Sequence, residues 1–298
     1  MKIVELFSGC GGMSLGFLNE GYEILAAIDN SVSAGEIYKS NFHHPFHLID
    51  LNSAEAEITI NNYDFDMLIG GPPCQDFSIA GKRNDNGKRA NLTLRFADLV
   101  VHSLPEWFVM ENVYNITKSK VLPKAIEIFK NAGYGLTYEV LDASYLGVPQ
   151  ARKRFFMIGR LGSKNDFMKK ILLENHSNKQ MTVKKYFGDQ LDLDFYYAHP
   201  RSYKRRAVFS VNEPSATIRG VNRPIPKTYQ KHPADKSSIT SSIRALTTKE
   251  RSLIQTFPES FNLIGSKSKI EEAIGNAVPV KLAEHIAQSI LKVMHTSD

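Results

Sequence analysis

Cys74 stands in the run Gly71-Pro72-Pro73-Cys74-Gln75-Asp76-Phe77-Ser78, directly behind two prolines. Their rings fix φ and stiffen the backbone just before the thiol. A lone cysteine is most often a small buried hydrophobe, but this one sits in a polar, rigid stretch. Glu111 and Asn112 close another apolar run. A carboxyl group facing a thiolate is a constellation for covalent catalysis with acid assistance. Gln150-Ala151-Arg152-Lys153-Arg154 adds guanidinium groups that can stabilise developing negative charge or hold phosphate. Taken alone, that run is equally a surface charge cluster. Near the start, Phe7-Ser8-Gly9-Cys10-Gly11-Gly12 has the glycines of a tight turn that lets a ligand approach the backbone. Asp29 follows Gly9 by 20 residues, the spacing at which an acid can accept both ribose hydroxyls. A glycine turn plus an acid fits NAD, FAD or S-adenosylmethionine, and also a merely structural turn. Position 14 is Ser, not the third glycine of the dinucleotide fingerprint, and no phosphate-binding lysine follows. A nucleoside cofactor lacking a pyrophosphate fits better.

These residues need a frame that brings them together. Over the first 160 residues short apolar runs alternate with helical patterns. Strands are expected at residues 2–7, 23–28, 46–51, 66–69, 107–110, 138–141 and 155–158. A helix is expected from about Met13, and another over residues 122–131, ended by Gly133. Such alternation implies a mostly parallel sheet covered on both faces, in which ligands bind beyond the carboxyl ends of the strands. The glycine turn, Asp29, Asp50, Pro73-Cys74 and Glu111 all fall at such ends. From about residue 162 Lys, Asn, Ser and Asp accumulate, and strong helical periodicity is absent between about residues 182 and 247. A small, irregular second domain is expected there. Residues 280–294 are helical again, with Leu282, Ile286, Ile290 and Val293 on one face that is most simply buried against the first domain.

With 42% hydrophobic and 23% charged residues in 298, the composition is that of a soluble globular chain with ample core. It excludes disorder, collagen-like repeats and a coiled coil. No apolar stretch approaches the ~18 residues of a membrane helix, and no signal peptide is expected at the start. Two cysteines, Cys10 and Cys74, are too few for a disulfide scaffold, and no Cys/His spacing suggests a metal, so a reducing, cytoplasmic setting is expected. The net charge of +6 is modest, but between residues 199 and 244 ten Lys and Arg stand against two acids. Such clustering suits a polyanion, although a basic run can also be a solvated face. Tyr196, Tyr197, Tyr203, Phe209 and Tyr229 interleave with the charges, as does Asn222-Arg223-Pro224-Ile225-Pro226. An ordered recognition surface fits better than a basic tail.

Taken in order, the blocks resemble those of DNA (cytosine-5)-methyltransferases of the compact bacterial, type II restriction-modification kind. They are Phe7-Ser8-Gly9-Cys10-Gly11-Gly12, Asp29, Gly71-Pro72-Pro73-Cys74-Gln75-Asp76-Phe77-Ser78, Glu111-Asn112-Val113, Gln150-Ala151-Arg152-Lys153-Arg154, Arg244 with Gln255-Thr256-Phe257-Pro258, and Gly275-Asn276-Ala277-Val278-Pro279. They span nearly the whole chain, and the Pro-Cys-Gln and Glu-Asn-Val blocks together are the most specific. Ala277 stands where many members carry Ser.

The resemblance implies an α/β, Rossmann-like S-adenosylmethionine-dependent fold with a small, irregular target-recognition domain. Residues 1–178 would form the catalytic part, 179–250 the recognition domain, and 251–298 would return to complete the catalytic part. The implied reaction is methyl transfer to carbon 5 of a flipped cytosine, with Cys74 adding to carbon 6, Glu111 holding ring N3 and the amino group, and Arg154 and Arg152 holding the base and developing charge. Implied cofactor contacts are Phe7, Gly9, Gly11, Gly12, Asp29, Asp50, Leu51, Pro73, Leu94, Asn276 and Val278. Ala216-Thr217-Ile218 resembles the Thr-Leu pair that members use near the flipped nucleotide. Implied DNA contacts are Ser78, Lys82, Arg83, Arg205, Arg206, Thr217, Ile218, Arg219, Arg223 and Arg244. Lys82, Arg83 and Arg89, with Gly81 and Gly87, would belong to an element that closes over the target.

The expected partner is duplex DNA, with no membrane and no metal. The enzyme would act as a cytoplasmic monomer, at the nucleoid when bound, beside a separate cognate restriction endonuclease. Rival readings are a tRNA (cytosine-5)-methyltransferase, a non-catalytic DNA-binding regulator, against which Cys74 and Glu111 argue, and a nicotinamide oxidoreductase, which has no use for the Pro-Pro-Cys-Gln block.

Overall fold

A computed structural model describes residues 1–73, 92–174, 176–202 and 204–296. Its main sheet is built from β1 (Lys2–Leu6), β2 (Glu23–Asp29), β3 (Phe46–Leu48), β4 (Met67–Gly70), β5 (Trp107–Val113), β6 (Tyr134–Asp142) and β7 (Lys153–Leu161), in the order β3-β2-β1-β4-β5-β7-β6. β1 to β5 pair in parallel, whereas β7 lies antiparallel between β5 and β6. The order runs outward from β1 in one direction and then in the other. This reversal opens a crevice at the carboxyl ends of β1 and β4, where doubly wound sheets take their ligands.

The period-two burial of the central strands explains the two layers. Met67 and Ile69 of β4 and Trp107 and Val109 of β5 face one core, with Phe17 of α1 (Gly12–Asn19) and Leu282, Ile286 and Ile290 of the terminal helix. Leu68, Phe108 and Met110 face the other, against Phe96 and Val100 of one helix and Phe129 of the next. Phe108 stacks on Phe129 at 4.1 Å between centroids. The helices after α1 are α2 (Val32–Lys39), α3 (Ala54–Asn61), α4 (Leu92–Ser103), α5 (Val121–Asn131), α6 (Lys169–Glu174), α7 (Val183–Phe187), α8 (Thr248–Ile254), α9 (Lys267–Asn276) and α10 (Val280–Thr296). The face of α10 expected to seek a core finds it on the sheet. Each of its buried Leu and Ile side chains contributes about 1.5–3 kcal/mol.

The described residues between 188 and 247 hold one strand pair, β8 (Phe195–Tyr197) with β9 (Val208–Ser210), and otherwise irregular chain. The irregular chain is nonetheless anchored. Tyr196, Phe209 and Ile218 share a core with Val183 and Phe187 of α7, Ile254 of α8, Ile274 of α9 and Ile37 of α2. Among the described residues, no helix is long and apolar enough to cross a membrane.

Four strands differ from the sequence expectation. β6 and β7 are each nine residues long, because they pair along their full length. β3 is three residues long, since it is an edge strand held only by Ala27 to Asp29. β5 runs on to Val113, so Glu111 and Asn112 lie within the strand and not beyond it. They face Phe156 and Phe155 of β7, whose pairing outweighs the low strand preference of a polar dipeptide.

Candidate active site

At the carboxyl edge of the sheet a cavity of about 460 Å³ is lined by Glu5, Phe7, Gly9, Gly12, Asp29, Pro73, Glu111, Arg154, Asn276 and Val278, among others. The chain leaves β1 by a sharp turn with Phe7 and Gly9 both at φ 54°. A side chain at Gly9 would meet no atom within 4 Å, so it is the backbone conformation, not crowding, that favours glycine there. Asp29 staples this turn to the end of β2. Its Oδ2 accepts the Gly9 N–H and its Oδ1 the Ser31 N–H, each at 2.8 Å. A carboxylate offers about four lone-pair sites, so both oxygens can accept another donor. Burial pushes the Asp29 carboxyl above its ordinary value, and the amide donors oppose that rise.

Among the residues expected to line this cavity, Gly11 does not: the space of its missing side chain is filled by the Phe42 ring, 2.2 Å from where a Cβ would stand. Asp50, Leu51 and Leu94 stand outside the lining as well. Asp50 turns its carboxylate onto the Asn52 N–H at 3.0 Å, a local turn bond typical of Asp. Leu51 and Leu94 pack in the apolar cluster that also touches Phe7, so they flank the cavity from behind. Glu5 was not anticipated. Its signal was present, as the one acid inside the apolar strand Lys2–Leu6.

Cys74, Ser78, Lys82, Arg83 and Arg89 lie outside the described residues, as do Gly81 and Gly87. The residues leading to Cys74 are placed by β5. Asn112, 2% exposed, donates from Nδ2 to the Pro72 carbonyl at 2.8 Å, fixing the Pro-Pro turn to the strand that carries Glu111. Glu111 is buried, and its Oε1 pairs with Arg154 Nε at 2.9 Å. Burial raises the Glu111 carboxyl above its ordinary value, while the charges of Arg154 and Arg152 draw it partway back. The outcome is a carboxyl group that holds a proton more readily than an exposed glutamate.

Arg152 has a different position from Arg154. It is fully buried and its guanidinium donates to the carbonyls of Ile218, Gly275 and Ala277 at 2.9, 3.0 and 3.0 Å. Gln150 adds a 2.6 Å bond to Gln255 and accepts the Ile218 N–H at 2.8 Å. Three segments far apart in sequence are thereby tied behind the site. A Cβ on Gly275 would stand 2.2 Å from the Gly220 nitrogen, so only glycine lets these two backbones cross. Arg152 thus joins these backbones, and it also lines the cleft that opens beside the cavity.

A larger cleft, about 1030 Å³, opens beside the first cavity and shares Val113, Arg154, Gly275 and Asn276 with it. Arg201, Arg205, Arg206, Arg219 and Lys153 line it, with Asp142 as its only acid among the described residues. The expected DNA contacts divide here. Arg206 is held in a two-pronged pair with Glu213 at 2.9 and 3.0 Å and lies 4.2 Å over the Phe209 ring. Arg244 is likewise paired with Glu250 at 2.7 and 2.6 Å, away from the cleft lining. Both charges are locally neutralised. Arg219 donates to the His199 carbonyl, and Arg223 lies outside the lining. Arg205 has no ion pair among the described residues. Thr217 is exposed in the cleft, with its hydroxyl on the Ala151 carbonyl at 2.8 Å, whereas Ile218 is buried beneath it.

A family model described as C-5 cytosine-specific DNA methylase matches residues 1–292. The type II methyltransferase M.HindV of Haemophilus influenzae is 54% identical over 293 residues, covering 98% of this chain and 96% of that protein. M.HgiDI of Herpetosiphon aurantiacus, also a type II methyltransferase, is 53% identical over 97% of this chain and 94% of its own. Among solved structures, the S. pombe Dnmt2 methyltransferase superposes with a TM-score of 0.75 at 20% identity over 98% of each chain. The Entamoeba histolytica methyltransferase EhMeth gives 0.73 at 17% identity over 99% of this chain and 98% of its own. At those identities the two structures speak for the fold alone.

Proposed function

The chain belongs to the C-5 cytosine-specific DNA methylase family, and we propose that it methylates carbon 5 of a cytosine flipped out of a specific duplex DNA sequence, through a Cys74 adduct, as the modification enzyme of a type II restriction-modification system. The observation that carries this reading is the position of Glu111 and Arg154, a buried acid and its guanidinium, with Arg154 at the seam between the sheet-edge cavity and the basic cleft. One compartment suits a nucleoside cofactor and the other a polyanion.

The family's methyl donor is S-adenosylmethionine, which supplies an electrophilic methyl group on a sulfonium. Phe7, Gly9, Gly12, Asp29, Pro73, Asn276 and Val278 would hold it, with Asp29 accepting the ribose hydroxyls on its remaining lone pairs. Gly11, Asp50, Leu51 and Leu94 would support these residues from outside the cavity. Carbon 5 of cytosine is too weak a nucleophile to take the methyl group unaided. Attack of the Cys74 thiolate on carbon 6 places the ring electrons on carbon 5 as an enamine. Glu111, carrying its proton, donates to ring N3 and accepts from the amino group, which favours attack and selects cytosine. Arg154 holds Glu111 and balances developing charge, and a cation brought beside Cys74 would favour the thiolate. Once carbon 5 is methylated, it loses its proton, and the electron pair released expels Cys74. Neither carbon can be reached in a stacked duplex, so the base must swing out.

On this reading residues 179–250 form the recognition domain, and a monomer grips DNA between it and the catalytic part made of residues 1–178 and 251–298. Thr217, Arg219 and Arg223 would meet the target, joined by Ser78, Lys82 and Arg83. The enzyme would work in the cytoplasm at the nucleoid, beside a separate endonuclease. Incubation with methyl-labelled S-adenosylmethionine and either duplex DNA or tRNA tests the substrate class. Label recovered as 5-methylcytosine in DNA supports the proposal, and label in tRNA alone overturns it.

Two further outcomes follow from the geometry. Asp29→Ala should weaken S-adenosylmethionine binding by about 10- to 100-fold, the worth of hydrogen bonds to a charged group. Calorimetry measures it, and an unchanged Kd removes the ribose role. Arg205→Ala should lower the slope of log K for DNA against log salt by about 0.9, one phosphate contact. Arg206→Ala should leave that slope nearly intact and instead strand Glu213. Equal slopes for wild type and Arg205→Ala would take Arg205 off the phosphate backbone.

A further inference from the structure

Glu5 lies on the floor of the sheet-edge cavity, 1% exposed, in the middle of an otherwise apolar strand. The Ser14 hydroxyl of α1 is hydrogen-bonded to Glu5 Oε2. The Ser14 oxygen is also 2.6 Å from the Tyr38 hydroxyl of α2, which is 2.6 Å from His44 Nε2. His44 is half-buried. A continuous hydrogen-bonded path therefore runs from the cavity floor toward the surface. Among the described residues no cation pairs with Glu5, and the charged groups around it are unfavourable or distant. Asp29 on β2 adds a repelling charge, Cys10 and Tyr38 are held neutral by burial, and Glu111 is already matched by Arg154. Lys269 and Glu272 of α9 line the same cavity.

Burial thus pushes the Glu5 carboxyl up to about 8, leaving it mostly protonated at neutral pH. A buried acid at the base of a pocket is costly to ionise unless something positive arrives. The donor proposed above carries two positive centres, a sulfonium and an ammonium, against one carboxylate.

We propose that Glu5 is a cofactor-binding acid that is neutral in the free enzyme and ionises against the positive charge of S-adenosylmethionine, releasing its proton along Ser14, Tyr38 and His44 to solvent. In the free enzyme the neutral Glu5 donates its O–H to Ser14, Ser14 to Tyr38 and Tyr38 to His44 Nε2. On ionisation the Glu5 O–H bond breaks with its electron pair kept on the carboxylate, and each proton moves one partner outward. A proton leaves His44 to bulk water, and Ser14 is left donating to the Glu5 carboxylate. Burial holds the His44 imidazole down at about 4, so it passes the proton without storing it. The inference rests on the cofactor reading of the cavity and adds a residue and a proton to it.

The test is titration calorimetry of the full-length protein with S-adenosylmethionine, at one pH in buffers of different ionisation enthalpy. The slope of heat against buffer enthalpy counts the protons released. A nearby cation lowers a carboxyl pKa by about 1–3 units, so at pH 7 Glu5 should release roughly 0.4–0.9 proton per bound ligand. At pH 9.5, where Glu5 is ionised in the free enzyme too, its release should vanish, leaving only the proton taken up by the ligand's own α-amino group, whose free pKa is about 8. Glu5→Gln should bind more weakly and release none, and Asp29→Asn should keep the release. Release with S-adenosylhomocysteine as well locates the carboxylate against the ammonium, and release with the sulfonium form alone locates it against sulfur. Binding without proton release in the wild type, or unchanged release in Glu5→Gln, overturns the role of Glu5. No binding at all would instead sink the cofactor reading beneath it. The wild-type pH series needs no variant, so a poorly folding Glu5→Gln does not remove the test.

Discussion

Cys74→Ala should bind S-adenosylmethionine with the wild-type Kd and lose methyl transfer by on the order of 10⁴-fold or more, the scale seen when the nucleophile of a covalent enzyme is removed. The reason lies in the ring. Without addition at carbon 6, carbon 5 has no enamine electron pair with which to attack, so pre-orientation alone cannot replace the thiolate. The cofactor cavity is built mainly on the segments that follow β1 and β2 and on α9 with the two residues after it, so a methyl group in place of a thiol should leave it intact. Single-turnover transfer together with a calorimetric Kd separates the two effects. Turnover within tenfold of wild type would remove the covalent mechanism, whereas equal loss of binding and turnover would show that Cys74 serves the fold of the cavity.

Glu111→Gln should cost roughly 10²- to 10⁴-fold in turnover, the range of a positioned acid. The amide keeps the shape but cannot deliver a proton to ring N3. It also leaves the buried Arg154 guanidinium without a charged partner, and removing one charge of such a buried pair is itself destabilising. A thermal unfolding curve and the cofactor Kd belong beside the rate. The pH profile carries the specific signature. Burial raises the Glu111 carboxyl, and the protonated form is the active one. Wild-type kcat/KM should therefore fall as pH rises through that raised value, and this falling limb should vanish in Glu111→Gln. A falling limb that persists unchanged in the variant would assign it to another group.

The sequence carried the chemistry further than it carried the geometry. Phe7, Gly9, Asp29 and Pro73 were legible as a strand-end pocket because strand–helix alternation limits where such residues can meet. Reversal of β7 between β5 and β6 was not legible, since pairing direction depends on partners far away in the chain. The same limit hid the state of the arginines. Arg206 and Arg244 read as free basic residues, yet Glu213 and Glu250 neutralise them across irregular turns that no periodicity marks. Arg152 and Arg154 stand two residues apart in one motif. The first donates to three carbonyls at the wall of the basic cleft and the second pairs with Glu111 in the cavity. Glu5 was passed over for a simpler reason. The glycines after the strand carry the stronger motif, while a lone acid on the strand's buried face is itself a functional signal.

The most direct test of the account uses duplex DNA carrying 5-fluorocytosine, incubated with the enzyme and S-adenosylmethionine and run on a denaturing gel. Fluorine on carbon 5 cannot leave as a proton does, so the adduct between Cys74 and carbon 6 should persist as a shifted protein band. That band should require both cofactor and duplex, vanish in Cys74→Ala, and appear only with DNA that contains the recognised sequence. Methylation of ordinary cytosine DNA without any trapped band on its fluorinated counterpart would contradict the covalent mechanism.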